Sequence, residues 1–140
     1  MQSSSSTIHS EVVGTPNSLT WRLNFLRGKT HISPWHDISL TNGSYHNFIC
    51  EIPKFGKAKF EISTREAFNP MSQDVKKGKL REYHGPIYWN YGCFPQTWED
   101  PSVLHPILNH KGDNDPLDVV EIGSSALTCG SITKVSAIYA

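Results

Sequence analysis

Between Gly112 and Asp118 the chain reads Gly-Asp-Asn-Asp-Pro-Leu-Asp, which places Asp113, Asp115 and Asp118 within six positions. Three carboxylates this close cannot all stay ionised unless a cation offsets their repulsion, and an all-oxygen set suits a hard divalent ion, most simply Mg2+. Gly112 permits a tight entry turn, and Pro116 restricts the backbone between the acids. An EF-hand would need Asp or Asn at position 117 and Gly at 118, where this chain has Leu117 and Asp118. Read alone, the segment also suits a solvated acidic turn between two strands.

A cationic set complements the acids. Lys59, Lys77, Lys79 and Arg81 are of the type that grips phosphate oxygens, Arg bidentately, although each also suits a solvated surface. Glu51 and Glu61 are candidates to join the metal or its waters, or to stand as exposed strand residues. Acids for divalent metals beside bases for phosphate form the arrangement that phosphoryl transfer demands. Tyr91, within Asn90-Tyr91-Gly92, suits either a hydrogen bond to phosphate or core packing with a satisfied hydroxyl. The seven histidines show no metal-ligand spacing, and Ser, Cys or His nucleophile motifs are absent, so covalent catalysis is not indicated.

The elements that must position these residues read as strands. Leu19, Trp21, Leu23 and Phe25 alternate with Thr20, Arg22 and Asn24, and Arg27-Gly28-Lys29 reads as a turn. Segment 30 to 45 is mixed, with a turn signal at Asn42-Gly43, and leads into a strand over Phe48 to Ile52 that Pro53 stops. Alternation then puts Ala58, Phe60 and Ile62 on one face and Lys57, Lys59 and Glu61 on the other. Residues 63 to 90 have the composition of loops and short strands, and further strands are expected at 117 to 122 and 131 to 138. No window holds a helical period and no repeat is visible, so the expected architecture is mainly β, a small twisted or barrel-like antiparallel sheet with long loops.

The 140 residues fit one domain, and 13 Lys+Arg against 13 Asp+Glu remove the general attraction expected of a nucleic-acid or anionic-membrane binder. No apolar run reaches the roughly 20 residues that span a bilayer, and three cysteines without C-x-x-C pairing point to a reducing compartment. Residues 1 to 18 lack periodicity and are expected to form a mobile tail, with the domain over 19 to 140. The last strand candidate runs straight to Ala140 without a stop, which leads to the expectation that the chain ends before its domain does.

With these motifs in place, the chain resembles the soluble family I inorganic pyrophosphatases, particularly their eukaryotic-type branch. The resemblance runs in family order over about a hundred residues, through Trp35-His36-Asp37-Ile38, Glu51-Ile52-Pro53, Ala58-Lys59-Phe60-Glu61-Ile62, Asn69-Pro70, Gln73-Asp74 and Lys76-Lys77-Gly78-Lys79-Leu80-Arg81. It continues through Asn90-Tyr91-Gly92, Phe94-Pro95-Gln96-Thr97-Trp98-Glu99-Asp100 and the acidic signature with its following Val119-Val120-Glu121-Ile122-Gly123.

The resemblance implies a five-stranded, OB-like barrel core, incomplete at the C-terminus here, a homodimeric form, and Mg2+-dependent hydrolysis of pyrophosphate to two phosphates; the charge balance and cysteine usage add the expectation of a cytoplasmic protein with no nucleic-acid or membrane partner. It assigns Asp113, Asp115 and Asp118 to the metal ions and the nucleophilic water, with Asp115 closest to acting as base. Lys59, Arg81 and Tyr91 would hold phosphate oxygens, and Glu51 and Glu61 would organise metals and their waters. The family's G-Y-I-x-N-Y-G pattern is altered to Gly85-Pro86-Ile87-Tyr88-Trp89-Asn90-Tyr91-Gly92, which makes Tyr88 the candidate for its first tyrosine. Family members continue into further metal carboxylates and a Tyr-Lys pair, so the chain reads as truncated. The alternative to an active enzyme is an impaired fragment that binds metal or phosphate or associates with a full-length subunit.

Overall fold

The computed structural model describes residues 7–138. Its strands are β1 (Ile8–Val13), β2 (Arg22–Arg27), β3 (Thr30–Ile32), β4 (Thr41–Asn42), β5 (Tyr45–Ile52) and β6 (Phe60–Ile62), then β7 (Met71–Gln73), β8 (Val75–Lys76), β9 (Lys79–Leu80), β10 (Asn90–Cys93), β11 (Asp118–Glu121) and β12 (Ile132–Val135). No helix occurs among the described residues. One five-stranded sheet runs β1-β2-β7-β6 with β3 added on β2, and a second runs β11-β10-β5-β12 with β4 added on β5. Strands β8 and β9 form a separate hairpin, whose turn uses left-handed backbone at Lys77 (φ 52°) and Gly78 (φ 75°).

Alternating apolar residues explain how the sheets share one core. Leu23 and Phe25 of β2, Ile62 of β6, Met71 of β7, Ile49 of β5 and Cys93 of β10 cluster with Ile32, Trp35 and Ile38. Strand β5 lies between β10 and β12, and all six residues from Asn47 to Ile52 are buried, the polar Asn47 and Glu51 among them. Its pairing with β10 slips: Tyr91 faces Ile52 while Gly92 faces Cys50, leaving Glu51 as the extra residue of a bulge. Bulges re-aim side chains, and this one puts a carboxylate at the edge of the core. Gly92 is required beside it, because a Cβ there would stand 1.9 Å from the Ile49 carbonyl oxygen.

Three expectations change. The leader over 1 to 18 is not without structure, because Ile8–Val13 pairs in register with Arg22–Arg27 as an edge strand; its first residues, 1–6, lie outside the described region. Leu19, expected on a buried strand face, precedes β2 and is exposed, since the ladder begins only at Arg22. The strand expected over 131 to 138 is confined to Ile132–Val135, the stretch that faces β5. The mainly β architecture expected for the family holds, its described strands forming two five-stranded antiparallel sheets and a hairpin.

Candidate metal and phosphate site

The acidic loop is fixed from below by β10 and β11 and from the side by a second loop. Cys93 pairs with Asp118 across β10 and β11, and Phe94 N–H donates to the Leu117 carbonyl at 3.0 Å. Glu99 N–H donates to the Asp115 carbonyl and Asn114 N–H donates to the Glu99 carbonyl, both at 2.9 Å. This exchange holds the two loops edge to edge. Gly112 allows it, because a Cβ there would stand 2.2 Å from the Glu99 carbonyl. Asn114 takes the left-handed backbone (φ 72°) that the turn needs, which Asn tolerates better than most residues, and its side chain accepts a hydrogen bond from Trp98 Nε1 at 2.9 Å.

Asp113, Asp115 and Asp118 then face one cavity together with Glu51, Lys59, Glu61, Tyr91 and Cys93. Glu51 is buried and accepts a hydrogen bond from Ile62 N–H at 2.9 Å. Burial, outweighing that bond and helped by the charges of Asp118, Glu61 and Asp115, pushes its carboxyl up to about 8. Burial and the repulsion of Asp113 and Asp118 raise Asp115 as well, against the pull of Lys59. Burial, reinforced by the Asp118 carboxylate beside its hydroxyl, keeps Tyr91 protonated as a hydrogen-bond donor.

The phosphate-binding candidates are organised by Asp74. Lys59 Nζ lies 3.5 Å from both Glu61 and Asp74, and Arg81 Nη1 donates to Asp74 Oδ2 at 2.6 Å. Burial works against the Lys59 charge, but Glu61 and Asp74 outweigh it, and against Arg81 too, and hold the ammonium above its ordinary value. Asp74 is held below its ordinary value because the Arg81 bond, Val75 N–H and Lys59 overcome its burial. Arg81 therefore reaches the site through Asp74 and does not itself line the acidic cavity. Lys77 and Lys79, on the β8–β9 hairpin, are exposed and outside that cavity.

One candidate lies outside the cavity, and two residues without an expected role, Glu99 and Asp74, stand beside it. Tyr88 is 71% exposed, packs edge-on against Phe55 with ring centroids 6.3 Å apart, and does not line the cavity. The Gly85–Trp89 loop carries it outward. Glu99, quoted only as part of a motif, brings a carboxylate oxygen within 4.8 Å of those of Asp113 and Asp118. Burial and the neighbouring Asp113 raise its carboxyl to about 7. Asp74 was likewise read without a role. The signal for Glu99 was its acid between Trp98 and Asp100, but no spacing rule connects it to an acid 14 residues later.

The donor set fits a hard divalent cation. Three carboxylates converge at Glu99, Asp113 and Asp118, while the cavity's lysine is already paired to Glu61 and Asp74. Only a cation relieves that repulsion without protonation.

A family model described as inorganic pyrophosphatase matches residues 48–139. A soluble inorganic pyrophosphatase 1, chloroplastic, from Chlamydomonas reinhardtii is 50% identical over 129 residues, which cover 91% of this chain and 46% of the relative. A type I inorganic pyrophosphatase from Toxoplasma gondii superposes with TM-score 0.84 at 41% identity, covering 91% of this chain and 60% of the other. An N-terminally truncated vacuolar soluble pyrophosphatase from Trypanosoma cruzi, solved in complex with PPi, gives TM-score 0.84 at 39% identity over 91% of this chain and 56% of its own. The chain spans about half the length of the curated relatives it matches.

Proposed function

This chain belongs to the inorganic pyrophosphatase family, and from that premise we propose that it carries the metal-binding and much of the phosphate-binding half of a Mg2+-dependent hydrolase of inorganic pyrophosphate. The observation that carries the reading is the convergence of Glu51, Glu61, Asp113, Asp115 and Asp118 on one cavity with Lys59 and Tyr91. The family implies a divalent metal, and the all-oxygen set supports Mg2+ as that metal.

Asp113, Asp118 and Glu99 would hold the cation, with Glu51 and Glu61 placed to orient its waters. When bound, a divalent cation offsets phosphate charge and lowers the pKa of water. Lys59 and Arg81 would hold phosphate oxygens, and the protonated Tyr91 hydroxyl would donate to another. Asp115, its pKa raised by burial and by Asp113 and Asp118, is suited to accept the proton of the attacking water. A new P–O bond forms as the bridging P–O bond breaks, and two phosphates result.

Self-association belongs to the same proposal. The exposed aromatic group of Phe55, Tyr88 and Trp89 supports it, and sedimentation velocity measures it.

Phosphate release from Mg2+-pyrophosphate by the purified chain, beside Asp118→Asn prepared identically, tests the activity. Turnover lost in the variant is the expected result. Equal release from both proteins, at background, would leave metal or phosphate binding as the chain's remaining activity.

A further inference from the structure

The two free edges of one sheet border a single apolar groove. The path β11-β10-β5-β12 leaves β11 at one end and β12 at the other, and residues 117–122 and 134–138 flank one groove with Phe94. Among the described residues the outer edges of Asp118–Glu121 and Ile132–Val135 pair with no further strand. Val120, Ile122 and Ile138 stand there 50%, 76% and 87% exposed. Open strand edges beside contiguous apolar surface mark an association site. The strand directions say what fits it. Each neighbouring pair along the path is antiparallel, so β11 and β12 run in opposite directions. A single inserted strand is then antiparallel to one edge but parallel to the other, which is the slightly weaker pairing. A second copy, turned about a twofold axis along the strands, sets each β12 antiparallel to the β11 of the other and pairs both edges at once. The two strands match in length at four residues each. Charge agrees as well: Lys134 of β12 makes no ion pair among the described residues, whereas β11 carries Asp118 and Glu121.

We propose that this groove is an interface between two copies of the chain, closed by reciprocal pairing of β11 with β12 around the exposed apolar side chains. It is separate from the aromatic group of Phe55, Tyr88 and Trp89, none of which borders the groove. Asp118 borders both the groove and the acidic cavity, so association sets the β12 edge of one copy beside the cation site of the other.

The test uses the full chain carrying Phe55→Asn, which removes an exposed aromatic from the other surface at a left-handed position (φ 70°) that Asn tolerates. Sedimentation velocity over a concentration series is combined with amide hydrogen exchange. A dimer is expected, with the outward amides of 118–121 and 132–135 exchanging at least roughly tenfold more slowly in the dimer than in the monomer. Ile122→Lys and Ile138→Lys, one on each side of the groove and both too exposed to disturb the fold, are each expected to weaken dimerisation by at least roughly tenfold, because they bury a charge at the interface. A chain that is monomeric at every concentration overturns the proposal. So does a dimer whose β11 and β12 amides exchange at the monomer's rate, a dimer that both lysine variants leave intact, or growth past the dimer, since reciprocal pairing leaves no open edge on this sheet. Protection of these amides that appears only when a full-length soluble inorganic pyrophosphatase is added to a monomeric chain gives the groove to that partner and removes the second copy.

Discussion

Asp74 Oδ2 accepts a hydrogen bond of 2.6 Å from Arg81 Nη1 and so ties the basic β8–β9 hairpin to the cavity wall. The same carboxylate lies 3.5 Å from Lys59. One acid therefore aligns two cations that sequence reading treats as independent phosphate ligands. Hydrogen bonds to charged groups are worth about 1.5–3 kcal/mol where they are made. Asp74→Ala is expected to lower kcat/KM for pyrophosphate roughly tenfold, chiefly through KM, with little change in unfolding midpoint. Steady-state kinetics decide it, and unchanged parameters would remove Arg81 from substrate binding.

Glu99 shares its oxygen cluster with Asp113 and Asp118. Glu99→Gln removes a charge from that set while keeping the volume, and Mg2+ affinity is expected to fall by at least roughly tenfold. Calorimetric titration of the purified variant measures the loss. Affinity equal to that of the unmodified chain would place the ion away from Glu99.

Glu51 and Glu99 are raised from 4.5 to about 8 and about 7. The folded state therefore holds protons that the unfolded chain has released, and the stability these groups lend is fully present below pH 4.5. It is lost as pH rises to about 8. Urea unfolding of the metal-free chain at stepped pH is expected to show this decline. Glu51→Gln is expected to flatten it, and so is Mg2+, which favours the ionised carboxylates. A pH slope identical in Glu51→Gln would show that Glu51 titrates normally.

Gly92 lies against the bulge that turns Glu51 inward, and a Cβ there would meet the Ile49 carbonyl oxygen at 1.9 Å and Phe48 at 3.0 Å. Gly92→Ala is expected to cost at least about 2 kcal/mol, since overpacking against backbone cannot relax through a side chain. Gly85→Ala, where nothing lies within 4 Å, is expected to be near neutral. Chemical denaturation of the two variants gives the comparison, and equal stabilities would mean that the bulge shifts freely.

Local chemistry was legible in the sequence. The spacing of Asp113, Asp115 and Asp118, the polar strand face with Lys59 and Glu61, and the strand at Phe48 to Ile52 that Pro53 stops report short-range constraints that a linear pattern records directly. The same patterns located β5, β6 and β11, whereas β10 (Asn90–Cys93), which carries Tyr91, was not anticipated as a strand. Tertiary pairing decided the rest. Glu99 joins the metal cluster because two loops exchange backbone hydrogen bonds across Gly112. Glu51 turns inward because β5 slips one residue against β10, and a one-residue slip has no signature in alternation alone. Ile8–Val13 orders because β2 offers it an edge, whereas its composition reads as loose. Tyr88 swings out to Phe55, and Arg81 reaches the site only through Asp74, because loop length and hairpin placement set where a side chain ends. Residue types and their spacing thus determined the chemistry available to this chain, while strand register and loop contact decided which groups share one cavity, since those depend on partners distant in sequence.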